Sequence, residues 1–542
     1  MKKTVTLIFL VISISFSNAQ PCDQGKAKQV LHANNISAKF KVGGDLFFDD
    51  KTGEFIINAN ILNPPLATIF LADLWMSAID LQGVRRIAVQ YARGTNLSYL
   101  PFGTTQSDCN NWDHIWSVGG EQLKAHIQDW KTDYKIDNKI PQIYAWPAKG
   151  NPYFESENNF PLSTNIKQWA EFYDQNKDGI YNPDDGDFPA VIDPNTGNAV
   201  IPDVIFWYMF NDDAVENNTI VKPLNVLTQL TAYEFKGDND VINNTLFTSY
   251  KFISRGLDTL KNFKPALLVD FDMGCPWDDY VGCSRDLSAI FVYNADSIDG
   301  LTNGSCSGTN TFGDNPGVQA VSFLSDSLFS FIHSGNSALY QSSSFLNMID
   351  TKFDNGQHLL NSGDGTTGIP TNYAFDGNPN KPDEWSMKSV FLKGQEFRGL
   401  GSVNLGNLNP GDIKPMTVAY TFFNSNTIKA TSVDIDSMYS GVKYLHELYD
   451  GFFEEYSVAT NSINEKEVLV YPNPVSNQLH IISPNEVITS INLVDMYGRI
   501  VSSAIINSNE TDLDASSVEA GSYLLLIHFD HLEMVRMVVV IK

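Results

Sequence analysis

The sequence predicts a mainly β protein: a large β-sandwich-like body with a few helices, followed by a small C-terminal β-sandwich. Three observations carry the prediction. Short runs of β-branched and aromatic residues recur between Gly, Asn, Asp and Pro; aromatic residues make up 12% of the chain; and helical spacing is confined to two segments.

The elements follow in chain order. Lys2 and Lys3 precede an apolar run from Val5 to Phe16, and Ser17-Asn18-Ala19 supplies small residues for cleavage, so residues 1–19 read as a signal peptide. That run is shorter than the roughly 20 residues that span a bilayer, and no later segment is long and apolar enough, so no transmembrane segment is expected. The body is placed at 20–456. Its strand-like runs include Asp203 to Phe210, Leu246 to Ile253, Ala266 to Phe271 and Ala289 to Tyr293. One helix is expected from an N-cap at Thr164, with Ile166, Trp169, Ala170 and Tyr173 at helical spacing. A second is expected from Ser437 to Phe453, with Val442, Leu445 and Leu448 on one face. Residues 457–467 are polar and aperiodic and read as a linker. The alternating strands of 468–542 form the terminal module.

Charge narrows the partners. Lys and Arg total 36 against 63 Asp and Glu, a formal charge of -27, which disfavours nucleic acid and anionic membrane and suits cation binding. Hydrophobic content of 43% is that of a folded chain. Of the five cysteines, Cys275 and Cys283 are close enough in sequence to close a small loop and are the expected disulfide; the odd count leaves one thiol over.

The strongest chemical signal is Asp174 to Asp185. Oxygen side chains fall at loop positions one, three, five, nine and twelve (Asp174, Asn176, Asp178, Asn182, Asp185). Gly179 stands at six, where the chain must turn, and Ile180 at seven offers its carbonyl. Six oxygens at this spacing suit Ca2+. Asp185 is shorter than the usual Glu, as in the loops of dockerin modules, which this segment resembles. The helix from Thr164 is expected to enter the loop, and Pro183, Gly186 and Pro189 forbid one leaving it. A second acidic cluster is Asp270, Asp272, Asp278 and Asp279. With Asp270 and Asp272 on one strand face, it suits a second metal or acid–base chemistry, and Trp277 beside it suits a sugar.

Catalytic signatures are missing from the sequence: no His-Glu-x-x-His, Gly-rich phosphate loop or Gly-x-Ser-x-Gly occurs. Gly304-Ser305-Cys306-Ser307-Gly308 imitates a nucleophile elbow, but its flanks read as loop rather than strand and helix.

The terminal module carries an ordered set of motifs. Tyr471-Pro472-Asn473-Pro474 opens it; Asp495-Met496-Tyr497-Gly498-Arg499, Leu513-Asp514 and Ala520-Gly521-Ser522-Tyr523 follow, and an apolar strand ends at Lys542. This order resembles the type A C-terminal sorting domain of type IX secretion cargo, an immunoglobulin-like β-sandwich. The resemblance implies export across the outer membrane, reading of the module by the type IX translocon, and its removal by a sortase-like protease within or just after 457–467. It also implies attachment to a surface glycolipid. The body, through Cys109-Asn110-Asn111-Trp112-Asp113, Trp146 to Asn151, Gly186-Asp187-Phe188-Pro189 and Asp278-Asp279-Tyr280, resembles uncharacterised extracellular proteins that bear the same tail. Two readings of its role follow: a calcium-stabilised, non-enzymatic binding, adhesion or matrix module with a glycan ligand, or a polysaccharide-degrading hydrolase using an Asp pair.

Overall fold

The computed structural model describes residues 22–542 apart from 50, 58–65, 90–98, 104–105, 165, 167, 194–197, 214–221, 301–305, 307–310, 336–341, 426–430, 452, 454–455, 457–467, 484–486, 496–498 and 530–532. The expected signal peptide and linker, and Gly498 of the tail motif, lie outside the described residues. The chain divides into two compact units, Met1–Ser457 and Val458–Lys542.

Among the described residues the first unit is built on two nine-stranded antiparallel sheets. One centres on the long strand Leu66–Ile79, which pairs with Lys261–Phe271, and that in turn with Phe397–Val403 and then Leu328–Gly335. The other runs from Asp279–Ser284 through Ala289–Asn294, Val318–Phe323, Ile413–Phe423, Thr245–Ser254 and Val226–Glu234 to Val204–Asn211. Near-continuous apolar runs such as Val204–Asn211 are the composition of strands buried on both faces. The sheets share one hydrophobic core. Phe47 meets Tyr420 edge-on at 5.0 Å, and Thr68 donates to Gln319 across the sandwich at 2.8 Å.

Helix Thr431–Asp450 carries Ile435, Met438, Val442 and Leu445 on one buried stripe. At Gly441 the helix comes so close that a methyl group there would stand 2.3 Å from the Phe423 ring. The helix starts six residues before the expected Ser437, because Ile435 extends the stripe.

Between Leu100–Pro101 and Val204–Asn211 the chain makes an insertion of helices and short hairpins. Trp112 is its hub, with Phe160 at 5.0 Å and Trp169 at 5.5 Å. The helix expected from Thr164 is not formed; the described residues of 161–171 are irregular and lead into the strand Phe172–Tyr173. Their backbone groups are satisfied from outside. Gln229 donates to the Gln168 carbonyl at 2.8 Å, Ala170 N–H donates to Pro147 at 3.1 Å, and the Trp146 indole donates to Glu171 at 3.0 Å. Those contacts replace the i to i+4 bonds that a helix needs.

Two disulfides fix the unit. Cys22–Cys109 ties the start of the described chain to helix Gln106–Trp112, and Cys275–Cys306 closes a second loop. The expected Cys275–Cys283 bond is therefore corrected. Cys283 lies within strand Asp279–Ser284, is fully buried as a free thiol, and approaches the Ala374 carbonyl at 3.4 Å. Strand pairing with Ala289–Asn294 sets Cys283 opposite Ile290.

Among its described residues the second unit is a small β-sandwich of a three-stranded and a four-stranded sheet. Leu479, Ile481, Ile491, Leu493, Leu525, Ile527 and Val538 fill the space between them.

Candidate metal centre

The 174–185 loop is held at its base by a two-residue ladder, Phe172–Tyr173 on Phe188–Pro189, in place of an entering helix. Asp187 closes the base. It is fully buried and accepts the Gln175 and Asn182 N–H groups at 2.8 Å each. Burial first, then the charges of Asp174 and Asp178, push its carboxyl up to about 7, against the lowering effect of those two N–H groups. Inside the loop Asp174 accepts from Gly179 N–H at 2.7 Å and Asp178 N–H at 3.2 Å, and Asp178 accepts from Ile180 N–H at 2.7 Å. Lys177 and Gly179 adopt left-handed φ of 61° and 74°, which makes the sharp turn and is why glycine stands at position six. Asn182 caps the short helical turn Pro183–Asp185 and donates to Asp185 at 2.6 Å. Asp184, beside these, is engaged by Lys139 at 3.0 Å and by the hydroxyls of Tyr144 and Tyr153.

The donor set of the loop is all oxygen, which fits a hard cation. The ring of carboxylates is open, however. Among the described residues two groups bring three ligand atoms within 4.8 Å of one another, and neither draws on the loop.

Both groups involve the second acidic cluster, which the fold divides. Asp270 lies in strand Lys261–Phe271 directly opposite Arg398, and the buried guanidinium meets it at 3.0 Å. Arg398 also holds Glu396 at 2.9 Å, and Asp270, Asp272 and Glu396 converge. Asp278 and Asp279 belong to the other half. Asp278 ends the turn Pro276–Asp278, accepts the Gly300 N–H at 2.8 Å and converges with Asp299. Asp270, Asp278 and Asp279 are all buried, while Trp277 is 38% exposed. Asp299, Glu396 and Arg398 were not singled out from the sequence. The signal for Arg398 is a lone arginine within the apolar strand Phe397–Val403; Asp299 and Glu396 lie far along the chain from their partners and offer none. Cys306, at the centre of the elbow-like motif, is bonded to Cys275 and has no thiol to offer as a nucleophile.

Among the described residues, surface cavities lie elsewhere in this unit. One of about 230 Å³ is lined by Arg285, Asp286, Asp376, Asn378, Lys381, Glu384 and Tyr439 among others. The other, of about 360 Å³, is lined by His333, Asp364, Lys393 and Gln395 with Phe353 and Phe397.

In the C-terminal unit the opening motif is stitched to the last strand. Asn473 accepts from Val539 N–H at 2.9 Å and donates to the Met537 carbonyl at 2.8 Å, while Val475 and Val539 bond at 2.8 Å. Tyr471 and His480 meet across the neighbouring strands, with ring centres 5.4 Å apart and the rings tilted by 34°. Tyr523 leaves Gly521 along its strand and returns its hydroxyl to the Glu519 carbonyl at 2.9 Å. The described residues of the opening and closing motifs thus belong to one sandwich, and residues 469–541 match the family of secretion system C-terminal sorting domains. The chain is a type IX secretion cargo. Its sorting domain is recognised by the type IX machinery and sends the protein to the cell surface or the extracellular space. Among the described residues of this cargo no helix is long and apolar enough to cross a membrane.

No curated protein matches the chain. Among solved structures, a polysaccharide lyase is similar over 66% of this chain and 37% of its own, at 12% identity and a TM-score of 0.17. PorZ, an essential bacterial surface component of the type IX secretion system of Porphyromonas gingivalis, is similar over 70% and 48%, at 10% identity and a TM-score of 0.14. The cargo spans less than half the length of either structure, and neither similarity bears on what its body does.

Proposed function

We propose that the body is a non-enzymatic binding module of the cell surface or its matrix, stabilised by Ca2+ at the 174–185 loop and taking a glycan as ligand. The observation that carries the binding reading is the cavity around Arg285, Asp376, Lys381, Glu384 and Tyr439. It offers donors and acceptors of both signs beside an aromatic ring, the combination that holds a polyhydroxylated ligand. A hydrolase using the predicted acids needs two carboxylates facing a substrate. Asp270, Asp278 and Asp279 are instead buried, and Asp270 is committed to Arg398. The calcium reading is supported by the oxygen donors of Asp174, Asn176, Asp178, Asn182 and Asp185 and by the left-handed Gly179 at the turn. When bound, the ion supplies a cross-link between loop strands, with the Ile180 carbonyl as its backbone ligand. The reading extends to the tail: cleavage within or just after 457–467 by a sortase-like protease, then attachment to a surface glycolipid.

The test is retention of the purified body on a panel of polysaccharides. Binding is expected to weaken at least about tenfold in Asp376→Ala and Tyr439→Ala, with no release of reducing ends. Release of reducing ends that disappears in Asp278→Asn would establish the hydrolase instead. Chelation is expected to lower the melting temperature of the wild type and to have a smaller effect on Asp178→Asn.

A further inference from the structure

The turn Asp272 to Cys275 is wrapped by two carboxylates that come from different parts of the chain. Asp279 accepts the Met273 N–H at 3.2 Å, and Asp299 accepts the N–H groups of Cys275 at 2.8 Å and Phe312 at 2.5 Å. Gly274 lets the backbone close on Asp299: at its φ of 69°, a methyl group there would stand 1.9 Å from the Asp299 Oδ2. Asp278 brings a third carboxylate, whose oxygen lies within 4.8 Å of one from Asp299. Two oxygens at that separation can both reach one calcium ion, since each Ca–O contact is about 2.3–2.6 Å. The Cys275 sulfur falls in the same group but is bonded to Cys306; it braces the turn and is no ligand for a hard cation.

The observation that points to a ligand is Asp279 itself. Its residue is fully buried, and its Oδ1 has no hydrogen-bond partner among the described residues. The charges that act on it are those of other acids: Asp299 first, then Asp278 and Asp272. Burial first, and then the charges of Asp278 and Asp296, push Asp299 up to about 7 against the N–H groups of Phe312 and Cys275. The neighbouring half, Asp270 and Glu396, has Arg398 to balance it; neither Asp279 nor Asp299 has an ion pair among the described residues. Buried carboxylates are retained when paired or bound to metal.

We propose that Asp278, Asp279 and Asp299 form an internal site for a hard divalent cation, of which calcium is the ion that fits, built where the Cys275–Cys306 loop meets the edge strand Asp279–Ser284. The proposal does not rest on the 174–185 loop, which is a separate segment of the insertion. The ion would lock together the end of one sheet's strand Lys261–Phe271 and the first strand of the other, making it a clamp between the two layers.

The experiment counts calcium bound per chain after dialysis, and records the melting temperature with calcium and with chelator, for the wild-type protein, Asp178→Asn, Asp279→Asn and Asp299→Asn. The clamp predicts that Asp279→Asn and Asp299→Asn each lose one ion and most of the calcium-dependent shift, while Asp178→Asn keeps that ion. An ion lost only in Asp178→Asn belongs to the loop and overturns the clamp. So does a wild type whose bound calcium is unchanged in both cluster variants, or one that binds none. Should the cluster variants not fold, hydrogen exchange of the wild-type segment 272–279 decides. Chelation is expected to speed its exchange about tenfold or more, and equal exchange with and without calcium overturns the site.

Discussion

Glu234 is fully buried at the end of strand Val226–Glu234, where it accepts the N–H groups of Ala33 at 2.6 Å and Asn34 at 3.2 Å. Burial pushes its carboxyl up to about 8 despite those two bonds, from an ordinary value of 4.5. Between those values the folded chain holds a proton that the unfolded chain has released. The stabilisation is therefore complete below about pH 4.5 and is lost as pH rises through about 8, at roughly 1.4 kcal/mol per pH unit in between. Glu234→Gln keeps the acceptor and fixes the neutral form. It is expected to match the wild type near pH 4 and to exceed it in urea stability near pH 8; equal pH dependence in both would refute the assignment. His333 shows the opposite sign. Packed against Phe353, Phe375 and Phe397, with ring centres 5.2 to 5.9 Å away, it is pushed down to about 4 by burial. Its contribution is whole above the ordinary histidine value of 6.5 and is lost as pH falls through about 4.

Helix Thr431–Asp450 shows what a periodic stripe can and cannot announce. Val442 and Leu445 gave its buried face away in the sequence, and strands such as Gln478–Ile482 and Ala289–Asn294 were legible from their alternation and composition. The segment after Thr164 had the same helical spacing and formed no helix, because its apolar side chains serve different neighbours: Trp169 stacks on Trp112, and the backbone around it bonds to Gln229, Pro147 and Trp146. Local periodicity reports a face only when one surface covers it. The candidate sites follow the same division. Asp278 and Asp279 were visible as neighbours in sequence, whereas Arg398 meets Asp270 only through sheet pairing and Asp299 comes to Asp278 from the loop after Ala289–Asn294. Gly441, too, has a meaning that only packing supplies. Gly441→Ala improves helix propensity by about 1 kcal/mol but drives a methyl into Phe423. A net loss of about 1–3 kcal/mol is expected from the overpacking, and Gly441→Ala with Phe423→Leu should recover most of it in denaturant melts.

At the scale of the whole chain, two units with separate cores divide the labour. The sorting domain directs export, so removal of 458–542 is expected to leave a folded body retained inside the outer membrane. A signal-bearing reporter fused to 468–542 should appear outside, and cell fractionation checks both. The three spare features of the body, its odd thiol and its two disulfides, also bear on how it matures. In the unfolded chain Cys283 is nearer to Cys275 than the proper partner Cys306 is, and short loops close more readily than long ones. Cys283 is thus a decoy that can win the first round of oxidation. Only when Asp279–Ser284 zips onto Ala289–Asn294 is the decoy withdrawn into the interior, where burial raises its thiol well above the ordinary value and leaves it inert. Fidelity in this protein is consequently a race between sheet closure and the cell's oxidants. Cys283→Ala, by scratching one runner, should return a larger share of correctly bonded chains when refolded from the reduced state.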